Sequence, residues 1–177
     1  MRKIYHQGNV DYLCGLYASI NATLLSTDKL ATFSRAKVRS WFQSIIADLS
    51  KHRKLLAVHK EGSDIEMMES YIKIIQAQMP EKINLTYYKP FLKNTRTSTA
   101  IKKISVISTQ PNTAVIIGVS GLYEHWSLVA KTTADRIYLN DSDGLTFLYI
   151  KNMPQRYNLI VANTIVVTAK AVQTECS

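Results

Sequence analysis

The chain has 177 residues, 46% of them hydrophobic, with only 6 Gly and 4 Pro, and carries a net charge of +9 from 22 Lys and Arg against 13 Asp and Glu. That length suits one domain, 1–177, with a single sizeable core, and the composition excludes a disordered chain and a fibre. The longest apolar runs, such as Ala114 to Val119, are far too short to span a membrane, and two cysteines, Cys14 and Cys176, are too few for a disulfide framework or a zinc site.

The N-terminus, Met-Arg-Lys-Ile-Tyr-His-Gln, has no apolar stretch behind its charges. It predicts a cytoplasmic protein, or one exported by a route that uses no such signal. Behind it the first helix is predicted from about Cys14 to Ser26, because Leu13, Leu16, Tyr17, Ile20 and Leu24 recur at helical spacing. The second has the cleanest pattern, with Val38, Trp41, Phe42, Ile45, Ile46 and Leu49 on one face and Ser34 as N-cap. Lys51-His52-Arg53-Lys54 then complements the negative end of that helix. A third helix opens on Ser63-Asp64-Ile65-Glu66, which has the spacing of a capping box. It buries Met68, Tyr71, Ile72, Ile75 and Met79, and Pro80 ends it. These Met and aromatic stripes read as core.

From residue 83 the texture turns β-branched and aromatic. Strands are predicted at Ile83–Tyr88, Ser105–Ser108, Thr113–Val119, His125–Lys131, Arg136–Asp141, Thr146–Ile150 and Asn163–Thr168, with residues 89–104 as a loop holding at most one helical turn. Helices first and strands after them predict an α+β domain, and short connections predict an antiparallel meander.

Three islands carry chemistry: Gln7 through Ala18, Tyr123 through Val129, and Tyr138 through Gly144. A cysteine on the first turn of a helix faces unpaired backbone N–H groups and the positive end of the helix dipole, and both favour thiolate. Gly15 beside it leaves the backbone bare for a substrate carbonyl to approach. The Gln7 amide, on the segment leading in, can join the Cys14 N–H as an oxyanion hole. His125 opens one strand and Asp141 closes the next. A three-residue loop at Thr132-Thr133-Ala134 sets the two directly opposite, where a carboxylate orients an imidazole. One residue of slip brings Asn140 or Ser142 there instead, so Asn140 is the alternative orienter.

The order Gln, Cys at a helix start, His on a strand, Asp on the next strand resembles the papain-like cysteine peptidase superfamily. It is most similar to the bacterial branch that includes the leader-cleaving domain of bacteriocin-exporting ABC transporters. Gln7, Cys14-Gly15, Ala18, His125 and Asp141 match that pattern, while Leu13 stands where the branch carries Asp. The resemblance implies a papain-like fold, with the cysteine helix packed on a C-terminal antiparallel sheet. It also implies a thiol hydrolase without metal or organic cofactor, a protein or peptide substrate, and peptide or isopeptide cleavage as the default reaction. Glutamine deamidation and transglutaminase-like acyl transfer use the same triad. Small basic domains of this type also occur as bacterial toxins or effectors, accompanied by an immunity or inhibitor protein. The positive charge raises a second class, a nucleic-acid-binding protein or nuclease. Against it, no basic stripe interleaved with aromatics and no nucleic-acid motif is visible along the chain, so nucleic acid is not expected as a partner.

Overall fold

In the computed structural model, which describes residues 4–7, 12–122, 124–153 and 156–172, helix α1 spans Cys14–Thr27. It starts at the cysteine itself, with Leu13 as N-cap, no side-chain cap and no acidic residue in its first turn. Helix α2 (Arg35–Lys51) is capped by Ser34, whose Oγ accepts from the Lys37 N–H at 3.2 Å. Of the predicted stripe it buries Val38, Trp41, Ile45 and Leu49, with Phe42 and Ile46 partly buried beside them. Full burial of each such side chain contributes about 1.5–3 kcal/mol.

The next helical region departs from the sequence reading. A short helix, α3 (Leu55–Glu61), precedes α4 (Ile65–Gln76). The cap of α4 is Asp64, which accepts from the Met67 N–H at 2.7 Å. Ser63 is thereby freed from the predicted capping box. Its Oγ lies 3.0 Å from the Tyr71 hydroxyl, and its carbonyl accepts from Trp126 Nε1 at 2.6 Å. Burial pushes the Tyr71 hydroxyl up to about 12.

Six strands follow: β1 (Ile83–Tyr88), β2 (Thr113–Gly121), β3 (His125–Thr132), β4 (Arg136–Asn140), β5 (Phe147–Tyr149) and β6 (Tyr157–Ala171). A 3-10 turn, Ile150–Asn152, lies between the last two. The predicted strand at Ser105–Ser108 is instead part of helix α5 (Thr97–Ile107). Ala100, Ile104 and Ile107 form its buried face, at helical spacing, against the sheet. Burial on one side decides the conformation there, over the strand preference of its Thr, Ile and Val residues.

All strand pairs are antiparallel, in the order β1-β6-β2-β3-β4-β5. The predicted meander holds only from β2 to β5. The last strand, β6, inserts between β1 and β2 and is an interior strand of the sheet. Its run Thr164-Ile165-Val166-Val167 is wholly buried, as expected for a strand covered on both faces. Helices α1, α2 and α4 pack on one face of the sheet and α5 on the other, giving two core clusters. Among the described residues, no helix is long and apolar enough to cross a membrane.

Gly15 marks the tightest join between α1 and α4. A β-carbon there would lie 2.6 Å from Met68 Sδ and 2.9 Å from Ser63 Cβ and Oγ. The glycine therefore admits the neighbouring helix, and the sequence reading of a bare approach for substrate is corrected. Gly15→Ala is expected to cost about 1–3 kcal/mol by overpacking, read as a lower urea midpoint. An unchanged midpoint would show that Met68 yields.

Candidate active site

The site is assembled at one end of the sheet. Cys14 is buried, 5% exposed, at the first position of α1. The first helical backbone bond into α1 is Tyr17 N–H to Leu13 C=O, at 3.0 Å. The N–H groups of Cys14, Gly15 and Leu16 thus have no acceptor within the helix and lie beside the sulfur.

His125 opens β3, and its Nε2 lies 2.6 Å from Asp141 Oδ2. The Cys14 side chain is its second side-chain partner. With Nε2 taken by the carboxylate, Nδ1 is the ring nitrogen left for the thiol. Asp141 is held from behind. Its Oδ1 accepts from the backbone N–H groups of Asp143 (2.8 Å) and Leu145 (3.1 Å). This Asx-type turn is closed by Gly144 in the left-handed region, φ 89°.

Electrostatics follow from this packing. Burial works to lower the proton affinity of His125 and is its largest single influence. The hydrogen bonds to Asp141 and Cys14, with the charge on Asp141, outweigh it and push the imidazole up to about 10. Burial likewise works to raise Asp141. Its bond to His125 and the charge on that ring, with the Asp143 N–H, hold it below the ordinary carboxylate range.

The contact between His125 and Asp141 arises from a register other than the one the sequence suggested. Leu128 pairs with Asn140 and Val129 with Leu139, two residues out of step with direct opposition of 125 and 141. The hairpin turns at Ala134-Asp135, with Thr133 N–H bonded to Arg136 C=O at 2.8 Å. A bulge between Val129 and Lys131 shifts the ladder again. A displacement of two keeps side chains on the same face, so Asp141 becomes the diagonal neighbour of His125 and still reaches it. Asn140 lies in the ladder opposite Leu128, on the alternate face, and the ring's partner is Asp141.

Gln7 is brought to the same corner. Its backbone N–H donates to Ser142 C=O at 3.1 Å, and Ser142 Oγ donates to its side-chain Oε1 at 3.4 Å. The amide NH2 is left as the free end. Residues 8–11, which join Gln7 to the helix, and Cys176 lie outside the described residues.

Three residues of this arrangement escaped sequence reasoning. Asn21, buried within α1, clamps the backbone of Tyr5 on both sides, accepting from its N–H and donating to its C=O at 2.9 Å each. That bond pair lays the segment carrying Gln7 along the helix. Its signal was an amide on an otherwise apolar helix face. Ser142, 4% exposed, holds Gln7. Ser127, two residues beyond His125 and therefore on its face, lies by the Asp141 carboxylate. Strand alternation alone could have found it.

No protein-family model matches the chain, and no curated protein matches it in sequence. Among solved structures it is similar to a double glycine motif protease from an AMS/PCAT transporter, solved in complex with the leader peptide. The TM-score is 0.51 at 12% identity, covering 96% of this chain and 91% of that one. It is similar also to the peptidase domain of Streptococcus ComA, a bi-functional ABC transporter involved in a quorum sensing pathway. There the TM-score is 0.51 at 10% identity, covering 98% of this chain and 100% of that one. The helices on an antiparallel sheet found here make up the papain-like fold of these transporter peptidase domains.

Proposed function

We propose that the chain is a cysteine peptidase that cleaves an amide bond in a polypeptide. The observation that carries this reading is the His125 ring, held by Asp141 at 2.6 Å and engaging the Cys14 thiol at the first residue of a helix. In the proposed reaction the Cys14 proton already stands on His125, and the thiolate of this ion pair attacks the carbonyl carbon. The developing oxyanion is held by the Cys14 N–H and the Gln7 amide. The tetrahedral species collapses, His125 gives its proton to the departing amine, and a thioester remains on Cys14. Water, activated by the same imidazole, then releases the acid and restores the thiol. Asp141 keeps the ring oriented and stabilises the imidazolium throughout. A peptide substrate is supported by the fold neighbour that was solved with a leader peptide.

The test is alkylation followed by product analysis. At about pH 6, iodoacetamide is expected to modify Cys14 at least about tenfold faster than Cys176, and His125→Ala to remove that advantage. Equal, slow labelling of both thiols would overturn the nucleophile assignment. Incubation with a degenerate peptide library is expected to yield new α-amino termini. Release of ammonia without new termini would replace the peptidase reading by a glutamine deamidase.

A further inference from the structure

The far half of the sheet carries a surface that this chemistry does not use. Arg136 pairs with Tyr149, Tyr138 with Phe147, and Lys131 with Tyr138. Directly paired residues share a face, as do residues 136 and 138 by alternation. Their neighbours Ile137, Leu139 and Leu148 fill the opposite face, in the cluster that includes α5. The sheet residues buried under α1, α2 and α4 come from β1, β2, β3 and β6, and none from β4 or β5. Among the described residues, the outer face of the β4–β5 hairpin therefore has no helix over it.

On this face the rings support cations. Lys131 Nζ lies 4.7 Å from the Tyr138 ring centre, and Lys151 Nζ 5.6 Å from that of Tyr149. The Arg136 guanidinium lies 4.8 Å from the Phe147 ring and 4.9 Å from the Tyr149 ring. Neither β3, β4, β5 nor the following 3-10 turn contains an Asp or Glu. Asp135, in the hairpin turn, is already engaged by Thr133 Oγ1 (2.8 Å) and Arg136 Nε (3.2 Å). The basic-aromatic stripe that the linear sequence does not show is thus built by strand pairing.

We infer that this face docks an acidic stretch of the polypeptide on which the Cys14 site acts, an inference that rests on the peptidase reading. Charge selects an anionic partner. The ring faces select a peptide over a nucleic acid, because bases would have to displace the cations that already cover the rings. Carboxylates instead meet the outward sides of the ammonium and guanidinium groups. The face lies on the side of the sheet that carries α1 and Cys14, and its strand β4 ends beside Asp141, three residues or about 10 Å beyond Tyr138.

The test is fluorescence anisotropy at low salt with a labelled oligoglutamate peptide, on the full chain carrying Cys14→Ala to prevent turnover. Lys131→Glu/Lys151→Glu changes two exposed side chains and leaves Arg136 in place. It is expected to weaken binding about tenfold or more. Lys51→Glu/Lys60→Glu, the same charge change on exposed positions of α2 and α3, is expected to leave binding within about twofold. Equal losses in the two variants, or no binding by the parent chain, would overturn the docking surface and leave the cations as guards of an edge strand. Tighter binding of oligothymidylate through Lys131 and Lys151 would overturn it in favour of nucleic acid. Because the probe binds without Cys14, an inert thiol would remove only the link to a substrate. Peptide binding lost specifically in Lys131→Glu/Lys151→Glu would still stand as an acidic-peptide surface.

Discussion

Asp141→Asn is expected to lower turnover about 10⁴-fold while the chain stays folded, and Cys14→Ala to abolish turnover outright. The two oxygens of Asp141 have separate duties. Oδ1 accepts from the N–H groups of Asp143 and Leu145 and so shapes the turn, and Oδ2 faces His125 Nε2. An asparagine can keep its oxygen on the turn and then presents NH2 to the ring. Nε2 must then accept, which moves the proton to Nδ1, the nitrogen left for Cys14. The ring loses its basic site at the sulfur although its position barely changes. Asp141→Ala removes both duties, so it is expected to lower the urea midpoint as well as the rate. Paired measurements of rate and midpoint separate the roles. Asn and Ala variants with equal midpoints would show that the turn does not depend on Oδ1. An Asn variant retaining more than about a tenth of wild-type turnover would show that Asp141 is not the orienter.

The site was more legible in the sequence than the topology around it. Cys14 at a helix start and His125 at a strand start are local statements, set by the apolar spacing of Leu16, Tyr17 and Ile20 and by the apolar run of Trp126, Leu128 and Val129 after 125. The buried stripes of α2 and α4 were legible for the same reason. The interior place of β6 was not, since its partners β1 and β2 both lie far back in the chain, with no local cue beyond its apolar run Ile165–Val167. The register of β3 against β4 depends on one bulged residue and a two-residue turn, neither marked by glycine. The His125–Asp141 contact survived that error only because the displacement was even. Short α3 buries a single residue, Val58, too little to leave a periodic pattern. The basic-aromatic face illustrates the opposite limit. Lys131, Arg136, Tyr138, Phe147, Tyr149 and Lys151 are unremarkable along the chain and become a surface only through strand pairing.

The coupling of His125 to Asp141 also sets a pH dependence of stability. His125 in the folded chain holds its proton up to about 10, whereas an unfolded imidazole releases it near 6.5. The folded state therefore binds the extra proton. This contribution is present in full below about pH 6.5, declines as pH rises, and is gone above about 10. Asp141 has the opposite sign. Its folded carboxyl is held below the ordinary value, so its contribution is present above about pH 4 and is lost as pH falls below that. Both act together between about pH 4 and 6.5. Each tenfold change in proton affinity is worth about 1.4 kcal/mol, which makes His125 the dominant titrating group on the alkaline side. Tyr71, pushed up to about 12 by burial, adds its own loss only where an unfolded tyrosine ionises, near pH 10. Urea unfolding between about pH 5.5 and 9 therefore isolates the histidine. Wild type is expected to lose stability steadily across that range, and His125→Gln, which carries no titrating ring, to lose much less. Parallel slopes for the two proteins would mean that the folded chain does not hold the imidazolium, and the mechanism would then have to begin from a neutral Cys14–His125 pair.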